Sequence, residues 1–183
     1  MEYINKKPKI YVISGKAKSG KDTIANIICN YYKDKKCKKI SYAYYLKEYI
    51  KNIFDWDGKE ETKPRDLLQS IGIDLLQKKI DEHFLINRVV EDIKVYSYFY
   101  DIIIITDARL IDEIEIPKNK FSNVTTIRIN NNSDNDLTLE QKKHITETAL
   151  DNYTNFDYVI NNTSDYDALK QSVNKILEVD HEK

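Results

Sequence analysis

The sequence predicts one α/β domain of three layers, a mainly parallel central sheet covered by helices on both faces. Three observations predict it. Short β-branched runs alternate with helical stripes along the chain, an order that requires crossover connections and therefore parallel strands. The run Ile102-Ile103-Ile104-Ile105 is aliphatic throughout, as a strand buried on both sides must be. The first apolar run passes through a glycine-bounded loop into a helix, so the loop stands at the sheet edge where such folds bind ligands.

Taken in order, Ile10-Tyr11-Val12-Ile13 reads as a buried strand ending at Gly15. Ile24, Ala25, Ile27 and Ile28 then recur at helical spacing up to the lysine-rich residues 33–39. A short strand is expected over 39–42. Leu46, Ile50, Ile53 and Phe54 form a stripe that predicts a helix over 45–54. Residues 55–64, polar and holding Gly58 and Pro64, read as a loop. Leu67, Leu68, Ile71, Leu75, Leu76 and Ile80 fit one face of a helix starting at Arg65, and a further helical segment covers 84–93. The aliphatic run over 102–105 is the central strand, and 124–129 the next. Helical character returns over 139–150, 158–160 is a last short strand, and Ser164 with Asp167 opens a final helix as a capping box. No repeat or interdomain linker is evident, so residues 1–183 form one domain.

Composition narrows the function. The chain has 183 residues with 29 basic and 30 acidic side chains, a net charge of -1 that argues against a nucleic-acid polymer or an anionic membrane as partner. The N-terminus lacks a signal-peptide core, and no apolar run is long enough to span a bilayer. Cys29 and Cys37 are too few for a disulfide framework, which makes a reducing, cytoplasmic setting the expectation and leaves their pairing open. Only four glycines and four arginines (Arg65, Arg88, Arg109, Arg128) are present, so their positions carry information.

Gly15-Lys16-Ala17-Lys18-Ser19-Gly20-Lys21 has the glycine and lysine spacing of a phosphate-binding P-loop. Small residues let successive backbone N–H groups curl round a phosphate, the lysine reaches the terminal phosphates, and the following helix adds positive potential at its N-terminus. Asp22 stands where the strict motif has a Mg²⁺-binding Ser or Thr, with Thr23 next. A carboxylate is a hard oxygen ligand, so Asp22 is a candidate for the metal. Asp107, delivered by the aliphatic strand, is the second metal candidate, and Arg109 two residues on can reach a substrate phosphate. Arg65, Gln69 and Gly72 recur at i, i+4, i+7: a guanidinium for a phosphate, an amide for a base edge, and room for a ligand.

These residues resemble the deoxynucleoside monophosphate kinases of phages and bacteria. The resemblance runs from residues 13–23, which include Asp22 after the lysine, through 42–48 and 65–72. It continues over Asp107-Ala108-Arg109 with Glu113, His144-Ile145-Thr146-Glu147, and 156–162. It implies a P-loop NTPase fold of the nucleoside-monophosphate-kinase type with a small lid, here 130–147, and an acceptor-binding helical region over 44–93. It also implies transfer of a phosphoryl group from ATP, with Mg²⁺, to a deoxynucleoside monophosphate. Carried over by position, Gly15, Lys16, Ala17, Lys18, Ser19, Gly20, Lys21, Asp22 and Thr23 would bind ATP, with Asn161 and Asn162 near the adenine. Lys21, Asp22 and Arg109 would be catalytic, and Lys47, Arg65, Gln69 and Arg109 would hold the acceptor. The Asp-Pro of the family's second block is Tyr44-Tyr45 here, and the lid range contains no arginine. Two other readings share these features: a P-loop kinase of the dephospho-coenzyme A or phosphomevalonate type, and a nucleotide-binding module without catalysis. The assembly state, a homodimer among the candidates, is left open.

Overall fold

Strand β1 (Lys9–Ser14) lies at the middle of a five-stranded sheet, in a computed structural model that describes residues 2–131, 144–163 and 165–181. The sheet order is β2-β3-β1-β4-β5, with β2 (Cys37–Ile40), β3 (Ile102–Ala108), β4 (Val124–Asn131) and β5 (Tyr158–Asn162). Every neighbouring pair is parallel. The side-chain period of two splits the central strands between two cores. Tyr11, Ile13, Ile102 and Ile104 face α1 (Lys21–Tyr31) and the C-terminal helix (Tyr166–His181). Ile10, Val12, Ile103 and Ile105 face the other side, against α4 (Phe84–Tyr96) and Ile114 of α5 (Ile111–Lys120). The three layers are those that the alternation of elements predicts.

Three elements differ from the sequence expectation. β2 ends at Ile40, two residues before the expected end, because Tyr42 is needed elsewhere: it is buried in the second core and leads into α2 (Ala43–Phe54). Helix α5 has no counterpart in the expectation, because Pro117 lies inside it and its polar residues obscure the stripe. The helix expected from Arg65 divides into α3 (Arg65–Gln69) and an eleven-residue π-helical segment, Ser70–Ile80. The wider π turn changes the phase of its buried face. Leu68, Gly72 and Leu76 are buried, whereas Leu75 and Ile80, expected on the apolar face, are exposed. Leu68 and Leu76 join Leu46 and Ile50 of α2 in a third, separate core.

The helix expected over 139–150 is represented among the described residues by α6 (Ile145–Thr148); the rest of the lid candidate, 132–143, lies outside them, as does Ser164. The C-terminal helix, α7, is capped by Asp165, which accepts the N–H of Asp167 at 2.9 Å. Cys29 of α1 and Cys37 of β2 form a disulfide, their Cα atoms 5.8 Å apart, which gives the cytoplasmic expectation no support. No helix among the described residues is long and apolar enough to cross a membrane.

Asp180 ties α7 to the sheet. Its buried carboxylate accepts the Thr125 hydroxyl at 2.7 Å and pairs with the Lys9 ammonium at 3.1 Å. Asp180→Ala removes both side-chain contacts, leaving Lys9 only the backbone carbonyl of residue 180, and is expected to lower the unfolding free energy by about 3 kcal/mol, read from urea denaturation against the unmodified protein.

Candidate active site

The loop after β1 is held in a shape that few other residues could adopt. A Cβ on Gly15 would lie 2.4 Å from the Ser19 hydroxyl oxygen and 2.7 Å from the Ile129 carbonyl oxygen, so only glycine fits. Gly20 has φ +103°, and Lys18 also takes a left-handed conformation, with φ 60°. Asn162 braces the loop from β5, its amide donating to the Ser19 carbonyl at 2.9 Å. Gly20 caps α1 without any side-chain acceptor, so the first-turn N–H groups of that helix are left to a ligand. The Ser19 hydroxyl is buried and has no hydrogen-bond partner among the described residues. This unspent donor set is what a phosphate requires.

Lys21 folds back on the loop, its ammonium donating to the carbonyls of Gly15 and Lys16 at 2.7 Å each. Burial lowers its pKa to about 8, and Arg109 pushes the same way; Asp107, Glu147 and Asp22 oppose the shift. Lys21 is thus poised near neutrality and in need of an anion.

The end of β3 organises the other side. Both oxygens of Asp107 accept backbone N–H groups at the start of α2, from Tyr42 at 2.8 Å and Ala43 at 3.0 Å. The expected metal candidate therefore also caps a helix. Glu113, buried, accepts the N–H groups of Arg109 at 2.6 Å and Leu110 at 3.0 Å, which fixes the backbone that presents Arg109. Burial, reinforced by the Asp107 charge, pushes the Glu113 carboxyl up to about 8. The Arg109 guanidinium is paired with the Glu147 carboxylate and also donates to the Thr146 carbonyl at 3.4 Å.

Between β3 and the third core lies an open cleft of about 210 Å³. Lys47, Arg65, Gln69 and Arg109, the acceptor candidates, all line it, with Leu46, Leu68 and Leu85 forming an apolar wall. The structure thus brings together residues from α2, α3 and β3 that are far apart in sequence. It adds Lys63, which the sequence reading missed: this lysine lines the same cleft and shares Glu60 with Arg65, at 3.0 and 3.1 Å. Burial lowers the Lys63 pKa despite its bond to Glu60, with Lys47 and Arg65 adding repulsion. Its signal was the cationic pair bracketing Pro64.

Other candidates lie elsewhere. Asp22 is exposed and faces a neighbouring cavity with Lys39, Ser41 and Thr106, not the cleft lined by Arg65 and Arg109. Asn161 is exposed beside Asn130, which donates to it at 3.3 Å. Glu147 falls in the expected lid range, but its side chain is only 7 % exposed and accepts the P-loop N–H of Ala17 at 3.4 Å. His144 plays a structural part, its Nδ1 capping α6 through the N–H of Thr146 at 3.3 Å.

A family model for deoxynucleotide monophosphate kinase matches residues 31–173. The chain belongs to that family. No curated protein matches the sequence. Among solved structures, an APS kinase from Mycobacterium tuberculosis, crystallised with AMPPNP and APS, matches at TM-score 0.51 and 13 % identity, over 93 % of this chain and 98 % of its own. TT1252 from Thermus thermophilus matches at TM-score 0.50 and 15 % identity, over 93 % and 97 %. At these identities the likeness concerns the fold. Family and fold together make this chain a kinase of nucleotides or small molecules, built on a P-loop.

The Lys21 environment predicts a pH dependence. Its charge is present below pH about 8 and is lost as pH rises through that value. Affinity for ATP, whose phosphates are already ionised, should therefore weaken above pH 8 in calorimetric titrations, while Lys21→Arg, which stays charged, shows no such break.

Proposed function

We propose that the protein transfers the terminal phosphoryl group of ATP to a deoxynucleoside monophosphate, giving the diphosphate and ADP. The observation that carries the reading is that Arg109 belongs to two cation groups at once. It neighbours Lys21 at the P-loop, and it lines the cleft with Lys47, Lys63 and Arg65. Two phosphates seated in these groups would meet at Arg109, the arrangement that phosphoryl transfer needs.

The acceptor's phosphate oxygen is the nucleophile. Its second pKa is near ~6, so it is largely ionised at neutral pH and no strong general base is required. Catalysis then rests on alignment and charge neutralisation. The N–H groups of the P-loop and of the first turn of α1 hold the donor phosphates, Lys21 leaves the loop carbonyls for the terminal phosphate, and Arg109 spans donor and acceptor. Lys47, Lys63 and Arg65 fix the acceptor phosphate, Gln69 offers its amide to a base edge, and the leucine wall receives the base face. Asp22 and Asp107, which both act on Lys21, are hard oxygen donors that with Thr23 would hold Mg²⁺, which neutralises phosphate charge when bound. Asn162 acts on the adenine side through its brace on the P-loop, and Asn161 stands next to it.

A panel of deoxynucleoside monophosphates with ATP and Mg²⁺ tests the reading: ADP and a deoxynucleoside diphosphate should form together. No turnover of any deoxynucleotide, with transfer to a different small-molecule acceptor, would overturn it. Lys21→Ala should lower kcat by ~10²-fold or more. Arg65→Ala and Lys63→Ala should each raise the acceptor KM by about tenfold and leave the ATP KM unchanged, as expected for uniform binding of one phosphate.

A further inference from the structure

Glu147 has no part in the transfer chemistry described above, yet its carboxylate sits on that chemistry's own donors. It is bonded to the Arg109 guanidinium, accepts the Ala17 N–H at 3.4 Å, and acts electrostatically on Lys21. All three groups are assigned to phosphate in the reading above, on which this inference rests. We propose that Glu147 is the resident anion of the phosphoryl-transfer position, holding Arg109 in place until the terminal phosphate of ATP displaces it.

Burial and charge make this exchange obligatory. The Glu147 side chain is 7 % exposed and that of Arg109 26 %, so water does little to screen a second anion brought to the same guanidinium. A phosphate and the carboxylate cannot both occupy the position without strong repulsion. The contrast with Glu60 is informative. That carboxylate also pairs with cleft cations, but its side chain is 64 % exposed on the 55–64 loop and can leave at little cost.

The segment that carries Glu147 is anchored independently of it. Leu150 is buried with the α4 side of the sheet, and Asp151 pairs with Lys16 at 3.0 Å and Arg128 at 3.7 Å. His144 caps the turn from the other end. With Leu150 and the Arg128 pair holding the segment, the exchange needs only a rotation of the Glu147 side chain. Arg109 is handed from carboxylate to phosphate without ever being left unpaired. Glu147 is in this sense a positioning residue: it keeps the empty cleft closed to weak anions, and ATP affinity is lower than the cations alone would give.

The test is ATP binding with Mg²⁺ by calorimetry in the full chain. Glu147→Gln keeps the shape and removes the charge, and should bind ATP about five- to tenfold more tightly than the unmodified protein. Glu147→Asp keeps the charge and should stay near the unmodified value. In an Arg109→Ala background, Glu147→Gln should give a clearly smaller gain, since only Ala17 and Lys21 are then released. Thermal unfolding of each variant without ligand establishes that it is folded; should Glu147→Gln not fold, Glu147→Ala serves with the same expectation. Unchanged or weaker ATP binding in the charge-removing variant, or a gain of undiminished size without Arg109, overturns the inference. ATP binding by none of the proteins, unmodified chain included, overturns the nucleotide reading beneath it as well.

Discussion

Positive charge crowded at one edge of the sheet is the constraint on which the rest of this structure depends. Lys47, Lys63, Arg65 and Arg109 line one cleft, and Lys21 lies behind it under the P-loop. Burial lowers the pKa of Lys21 and of Lys63, which weakens the charge on both. The fold answers with internal acceptors. Glu60 serves Lys63 and Arg65, Glu147 serves Arg109, Asp151 serves Lys16 and Arg128, and two loop carbonyls serve Lys21. Each cation so served is thus paired within the fold.

The parallel sheet explains why the charges meet there. β1 and β3 are neighbours, and both run toward the same edge, one leading into the P-loop and the other carrying Asp107 near its end with Arg109 just past it. Asp107 then links this edge to α2 and the third core by accepting two N–H groups at the start of α2. Glu113 performs the matching task for the turn that presents Arg109. Two carboxylates at the edge thus act as backbone fasteners, and the guanidinium and ammonium groups are what they hold in register.

Much of this is legible in the sequence, for physical reasons. Fully buried parallel strands must be aliphatic, so Ile102–Ile105 and Ile10–Ile13 declare themselves. The P-loop needs glycines at fixed spacing, and Gly15 and Gly20 are two of only four. Lys47, Arg65, Gln69 and Arg109 are polar residues beside apolar stripes, and all reach one cleft. What the sequence hides is what depends on distant partners. The phase of the Ser70–Ile80 segment follows its π turns, which no 3.6-residue pattern reports. Helix α5 is obscured by Pro117, and with it the buried capping role of Glu113. Glu147 and Lys63 carry no periodic mark; their importance arises only once Arg109, Ala17 and Arg65 are brought beside them. Asn162 is similar, its brace on Ser19 spanning most of the chain.

In the proposed transfer two phosphates, one on the P-loop and one in the cleft, meet at Arg109. A crystal structure with a non-hydrolysable ATP analogue and a deoxynucleoside monophosphate tests it most directly. The account predicts the donor phosphates on the N–H groups of residues 17–23, the acceptor phosphate among Lys47, Lys63 and Arg65, and Arg109 touching both. An acceptor phosphate bound away from those three cations, or a triphosphate lying outside the P-loop, would contradict it.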